Sequence, residues 1–98
     1  FSIPTIIICG NDLIAFGAID ACLKNKLRVP YDISVTGFDD GFLAAHYNPP
    51  LTTVAQSPYD LGATGAKLLL EFISGKRKRA VTRVLPIRLI IRQSTTQL

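Results

Sequence analysis

The chain has 98 residues and a mass of 10.7 kDa, with 48% hydrophobic and 18% charged residues and a formal net charge of +4. This balance excludes a disordered chain and fits one small domain or a piece of a larger one. No apolar run approaches the ~18 residues of a membrane helix, and residues 1–10 lack the basic segment and cleavage site of a secretory signal, so we expect neither membrane insertion nor secretion.

The first third of the chain predicts a β-α-β unit. Thr5–Cys9 is a short β-branched apolar run, typical of a strand that is buried on both faces of a parallel sheet. Asn11 can cap a helix that runs from about Asp12 to Lys26, with the Asp12 carboxylate at its positive end. Ile33–Phe38 then predicts a second strand. A strand, helix and strand in this order form a right-handed crossover, so the two strands should be parallel.

The predicted first helix is apolar round most of its circumference, which is more than packing on one sheet requires. It therefore needs a second contact. We expect that contact to be another subunit, with Ile14 and Phe16 facing it. Burial by another element of the same chain is the alternative.

The second half predicts another helix. Leu51–Ala55 is a third extended segment, and after it Ser57 and Pro58 match an N-cap and the first helical position. The apolar pattern continues to about Ser74, and Gly75 can supply the left-handed end of the helix. The pattern has one apolar and one polar side, as expected for a surface helix on a sheet.

The last part of the chain predicts two further strand segments and a tail. Ala80–Leu85 and Ile87–Arg92 are rich in Val, Ile and Leu, and Pro86 marks the break between them because proline cannot donate to a strand ladder. Ser94–Leu98 is predicted to be a polar tail.

Charge is unevenly placed along the chain. Residues 1–66 hold three basic and six acidic side chains, whereas residues 67–98 hold eight basic and one acidic. Most of the excess is the run Lys76-Arg77-Lys78-Arg79. Such a run can bind nucleic-acid phosphates. No aromatic residue is interleaved with it, however, and a solvated loop is the simpler interpretation.

Catalytic and metal-binding patterns are absent from the sequence. There is no nucleophile elbow, HExxH helix, P-loop or GxGxxG motif, and His46 has no partner that the sequence reveals. Cys9 and Cys22 have neither a zinc spacing nor a disulfide framework, and we expect two buried, reduced thiols. We therefore expect no enzyme, no metal ion and no cofactor.

Two polar residues follow the first two predicted strands. Asn11 comes after the first and Asp39 after the second, and ligands bind outside the carboxyl ends of the strands in an open parallel sheet. An amide beside a carboxylate suits a neutral polyhydroxylated ligand or a nucleobase. The alternative is that Asn11 only caps its helix and Asp39 only shapes a turn.

Several motifs stand in a fixed order along the chain: Cys9-Gly10-Asn11-Asp12, Gly37-Phe38-Asp39-Asp40, Pro49-Pro50-Leu51-Thr52-Thr53-Val54 and Arg92-Gln93-Ser94-Thr95. In their order and spacing they resemble the C-terminal third of the lactose/galactose-repressor (LacI/GalR) family of transcriptional regulators. The resemblance extends from about Pro4 to Thr95.

The resemblance implies an α/β fold, a parallel-sheet β-α-β fragment of a two-lobed effector domain like the periplasmic binding proteins. Residues 1–53 and 88–98 would belong to the C-terminal lobe, and residues 57–85 would contribute to the N-terminal lobe. Crossings between the lobes would lie at Val54, Gln56 and Pro86. The DNA-binding headpiece of the family is not expected in this chain.

The same resemblance implies roles for individual residues. Asn11 and Asp39 would contact a small polar effector, which we expect to be a sugar or sugar derivative, with a purine as the family's exception. Ile14, Phe16 and Tyr47 would lie at the seam of a homodimer. The whole protein would be a cytoplasmic regulator that binds operator DNA through its headpiece and responds allosterically to effector. A periplasmic sugar-binding protein is the alternative.

Overall fold

In the computed structural model, which describes residues 2–98, the chain forms four short strands and two α-helices. Residue 1, with which the predicted C-terminal lobe begins, lies outside the described residues. The elements in chain order are β1 (Ile6–Ile8), α1 (Asp12–Lys24), β2 (Ser34–Thr36), a 3₁₀ helix (Phe42–Ala45), β3 (Thr53–Ala55), α2 (Pro58–Ile73) and β4 (Arg88–Ile90). They divide into two compact units: unit 1 runs to Ala55 and resumes at Arg88–Leu98, and unit 2 is Gln56–Ile87.

Unit 1 contains the predicted β-α-β unit, which is confirmed. β1 and β2 pair in parallel, with Ile7 opposite Val35, and α1 connects them. β4 pairs antiparallel with β3 in the same unit. Helix α1 ends two residues earlier than predicted because Lys26 takes a left-handed backbone conformation, with φ of 61°, which stops the helical path.

The core of unit 1 lies between α1 and the two parallel strands. It is built from small and branched apolar side chains, and Ile19, Val35 and Leu51 are fully buried in it. The prediction that β1 is buried on both faces is wrong for the described chain. Ile7 packs against the core, whereas the side chains on either side of it point to the opposite face, where Ile8 is 79% exposed.

The predicted polar tail is wrong at its first residue, because Ser94 is fully buried, whereas residues 96–98 are exposed. The Ser94 hydroxyl donates to the Val35 carbonyl at 2.6 Å and accepts from the Thr52 N–H at 2.8 Å. The Val35 N–H in turn donates to the Ser94 carbonyl at 2.9 Å. The segment therefore lies between β2 and the approach to β3, where a small hydroxyl satisfies backbone groups that apolar side chains could not.

Unit 2 is dominated by α2. Ser57 caps the helix by accepting from the Asp60 N–H at 3.2 Å, and Gly75 has a left-handed φ of 79° just beyond its end, as predicted. No residue of α2 is buried in the described chain. The predicted strand over Ala80–Leu85 is wrong, because a strand needs a hydrogen-bonded neighbour and the described residues provide none for this segment. Neither helix of residues 2–98 combines the length and apolar character that crossing a membrane requires.

Close packing at Gly37 gives a test of this arrangement. A Cβ atom at Gly37 would lie 2.5 Å from Asp12 Oδ1 and 2.8 Å from Leu51 Cδ2, so Gly37→Ala should lower the free energy of unfolding by roughly 1–3 kcal/mol. Gly17→Ala on α1 is the matched control, because nothing lies within 4 Å of the added methyl group. It should raise the same free energy by up to ~1 kcal/mol. Urea unfolding measures both, and equal effects would contradict the packing described.

Candidate functional site

The loops that follow β1 and β2 lie side by side. The two strands are parallel, so both loops leave the same edge of the pair. The Asp12 N–H donates to the Phe38 carbonyl at 3.0 Å, which ties the start of α1 to the loop after β2. The loops that carry Asn11 and Asp39 are thereby brought to one edge of unit 1.

Asn11 uses one end of its amide to cap α1. Its Oδ1 accepts from the Ile14 N–H at 2.8 Å, and the side chain is half-buried. The amide nitrogen has no hydrogen-bond partner among residues 2–98. Capping and ligand binding are therefore compatible, because the cap uses the acceptor of the amide and leaves its two donors for a ligand.

The loop after β2 has a strained backbone. Asp39 and Asp40 have φ values of 121° and 54°, which side-chain-bearing residues rarely adopt. The Asp39 N–H donates to the Val54 carbonyl at 2.9 Å. The Asp40 carboxylate pairs with the Arg92 guanidinium at 2.8 Å, and that guanidinium also donates to the Leu51 carbonyl at 2.9 Å. These contacts from β3 and from the C-terminal segment fix the loop in its strained form.

The carboxylate of Asp12 is buried, with only 5% of the residue exposed, and it joins three segments. Oδ2 accepts from the Gly41 N–H at 2.7 Å, and Oδ1 accepts from the Thr53 hydroxyl at 2.6 Å. It therefore links the start of α1 to the loop after β2 and to β3. Sequence reasoning missed this role, because its only signal was an acid in the first turn of a helix, a position that exposed acids also favour.

The residues predicted at a dimer seam lie on and beside α1. The rings of Phe16 and Tyr47 stack with centroids 4.1 Å apart and an angle of 18°. The Tyr47 hydroxyl donates to Asp20 at 2.7 Å, and this hydrogen bond, together with partial burial, raises the pKa of Tyr47. Phe16 is only 7% exposed, because its own chain already covers it, whereas Ile14 is 57% exposed.

The residues predicted as crossings lie close to the division between the two units. Val54 belongs to β3 in unit 1, Gln56 is the first residue of unit 2, and Pro86 is the second-last. The chain thus passes between the units after Ala55 and after Ile87.

The two thiols are buried, whereas the lone histidine is exposed. Cys9 and Cys22 are both free and buried, as expected. The pKa of Cys9 is raised, mainly because the thiol is buried and secondarily because of electrostatic repulsion from Cys22. The ring of His46 lies 5.0 Å from the ring of Phe42. Among residues 2–98, no three His, Cys, Asp or Glu side chains come together in a group that could hold a metal ion.

The buried hydrogen bond between Thr53 and Asp12 gives a second prediction. Thr53→Val keeps the shape of the side chain but leaves the Asp12 carboxylate without one donor, which should lower the free energy of unfolding by roughly 1–3 kcal/mol. Thr5→Val is the matched control at an exposed threonine and should change it by less than about 0.5 kcal/mol. Urea unfolding distinguishes the two, and a loss in both variants would assign the effect to valine rather than to the lost hydroxyl.

Comparison with known proteins identifies the family of the chain. Residues 2–95 match the family described as the periplasmic binding protein-like domain. The HTH-type transcriptional repressor PurR of Pasteurella multocida is 46% identical over 94 residues, which are 95% of this chain and 28% of PurR. The chain therefore spans little more than a quarter of that relative's length.

Two solved structures share the fold closely. The complex of the transcriptional regulator CelR with cellobiose superposes with a TM-score of 0.88 at 33% identity, over 92% of this chain and 28% of CelR. The lac repressor dimer bound to operator and the anti-inducer ONPF superposes with a TM-score of 0.87 at 39% identity, over 95% of this chain and 32% of the repressor. The named proteins are regulators of transcription, and none is named as an enzyme.

Proposed function

Since this chain belongs to the periplasmic binding protein-like domain family and corresponds to the C-terminal part of the effector core of LacI/GalR regulators, we propose that it forms part of an effector pocket in a dimeric transcriptional regulator. One observation carries the proposal. The loops bearing Asn11 and Asp39 meet at one edge of unit 1, joined by the hydrogen bond from Asp12 to Phe38.

The chemistry of these two side chains favours a sugar or sugar derivative as the effector. The Asn11 amide offers two donors and the Asp39 carboxylate offers acceptors, which together match the hydroxyl groups of a sugar. The cellobiose bound by CelR, a structural relative at 33% identity, supports this class over a purine. The naming of these relatives as regulators favours a sensor over a periplasmic transport protein or an enzyme.

The two units have separate parts in this proposal. Unit 1 would be the C-terminal lobe, and unit 2 would contribute to the N-terminal lobe. Val54, Gln56 and Pro86 would lie at the crossings between them. A ligand that favours one arrangement of the lobes shifts the population of the two states, and such coupling is typically about 1–3 kcal/mol. Operator DNA would be bound by a segment outside these 98 residues, in the cytoplasm.

The dimer seam would use the exposed side of α1. Ile14 presents apolar surface there, and Tyr47 is held in place by Asp20 and by the ring of Phe16 beneath it. Phe16 would act through this stacking, because little of its own surface is open to a partner.

The effector site is tested by substitution in the full-length regulator. Thermal shift with galactose, cellobiose and adenine identifies the ligand class, and we expect a sugar to raise the melting temperature. Asp39→Asn should then weaken binding of that sugar about 10-fold or more, because it loses a charge-assisted hydrogen bond. Asn11→Ser should weaken binding while leaving α1 intact, because serine is also an N-cap residue.

Asp32→Asn is the matched control for the loss of a carboxylate. Asp32 pairs with Arg28 at 2.9 Å, outside the two loops, so its substitution should leave sugar affinity within about twofold. Unchanged affinity in Asp39→Asn would remove Asp39 from the site. Stabilisation by adenine alone would overturn the assignment to a sugar.

The proposed seam gives a separate prediction. Ile14→Asp places a charge in the apolar contact. It should raise the dissociation constant of the full-length dimer at least about 10-fold. Gln97→Asp adds the same charge at an exposed position near the C-terminus and should leave the dimer unchanged. Sedimentation velocity at several protein concentrations measures both. An intact dimer in Ile14→Asp would exclude this face of α1 from the seam.

A further inference from the structure

The net charge of the chain lies entirely in unit 2. Unit 1 has five basic and five acidic side chains, whereas unit 2 has six basic and two acidic. Four of those six bases are consecutive, at Lys76-Arg77-Lys78-Arg79, and we call this run the basic tip. The charge is therefore concentrated in one short segment.

The basic tip lies at the end of α2 that is remote from the points where unit 2 joins unit 1. The chain enters unit 2 at Gln56, two residues before α2, and leaves it at Ile87, and both residues line the same small cavity beside the start of the helix. The 16 residues of α2 are about 24 Å long, and the basic tip follows Gly75 at the far end of the helix. The fold thus presents these charges away from the proposed crossings.

The backbone of the basic tip is anchored to α2. The Arg77 N–H donates to the Glu71 carbonyl at 3.1 Å, and the Arg77 Nε donates to the Glu71 carboxylate at 2.9 Å. This pairing also lowers the pKa of Glu71. Arg77 is therefore both neutralised and held in place.

The other three cations of the basic tip have no such partner. Within residues 2–98, no carboxylate lies within ion-pair distance of Lys76, Lys78 or Arg79, and all three residues are exposed. Three uncompensated positive charges on a fixed turn form a strong local field for a polyanion.

We propose that the basic tip binds the backbone phosphates of duplex DNA without regard to sequence. Duplex DNA carries one charge per ~1.7 Å of its axis, and each neutralised phosphate releases a condensed counterion, so a few lysines and arginines suffice for salt-dependent binding. No aromatic residue is interleaved with the run, which disfavours a single strand, whose bases need stacking partners.

Duplex DNA is favoured over an acidic protein by the relatives of this chain. PurR is an HTH-type repressor, and the lac repressor was solved on operator DNA, so a regulator of this family works beside a duplex. The inference uses from the proposed function only that the protein acts on DNA. It does not depend on the effector site, and either can fail without the other.

The test measures binding of the 98-residue chain to a labelled 30-base-pair duplex of arbitrary sequence by fluorescence anisotropy. With three phosphate contacts, affinity should fall about 40-fold as salt rises from about 50 to about 200 mM. Replacing Lys76, Lys78 and Arg79 by serine leaves the Arg77–Glu71 pair intact and should abolish most of this salt dependence. Circular dichroism confirms that the variants fold.

The matched control replaces Lys24, Lys26 and Arg88 of unit 1 by serine, which removes the same charge from elsewhere in the chain. It should bind the duplex within about threefold of the unaltered chain. Equal loss in both triple variants would mean that net charge alone binds DNA, and no loss in the tip variant would mean that the tip makes no contact. Either result overturns the proposal. Poly-glutamate binding as tight as the duplex, and lost in the same variant, would overturn the assignment to DNA.

Discussion

The buried carboxylate of Asp12 is the constraint on which the rest of unit 1 depends. A polar group taken out of water is tolerated only where hydrogen bonds replace its hydration, and Gly41 and Thr53 supply them. Because these donors are 29 and 41 residues away along the chain, satisfying one side chain brings three segments together. Gly37 has no room for a side chain beside it, so the arrangement is fixed sterically as well. The edge that carries Asn11 and Asp39 is thus positioned by a neighbouring residue that serves the fold itself.

The C-terminal segment completes the same edge. Arg92 holds Asp40 in the strained loop, and Ser94 joins β2 to the approach to β3. Both residues follow unit 2 in the chain, so the loop that carries Asp39 is held in part by a segment that has already returned from the other unit. The chain returns from unit 2 after Ile87, only a few residues before Arg92 and Ser94, whose contacts shape the proposed site. This gives the loop that carries Asp39 and the proposed crossings a short physical link within unit 1.

Local signals predicted the two helices and their caps, and partners distant in sequence decided the rest. The caps at Asn11 and Ser57 and the end at Gly75 depend on residues within a turn of each other, so the sequence pattern predicted them correctly. The burial of Ser94 depends on Val35 and Thr52, and composition alone made it look like part of a solvated tail. Ala80–Leu85 has the composition of a strand but no neighbour in the described chain. The placement of the loops after β1 and β2 followed from topology, whereas the Asp12 network that fixes them did not.

The carboxylates of unit 1 already have partners, which sets a condition on any ligand that binds there. In unit 1 the carboxylates are engaged by the fold: Asp20 accepts from Tyr47, Asp40 pairs with Arg92, and the Arg28 guanidinium lowers the pKa of Asp32 to about 2. Asp39 also has a partner within the fold. In the proposed pocket, an effector would have to offer well-placed donors to Asp39, because the free energy of binding is measured against the contacts that Asp39 already makes. Selectivity in the proposed pocket would then follow from geometry more than from charge.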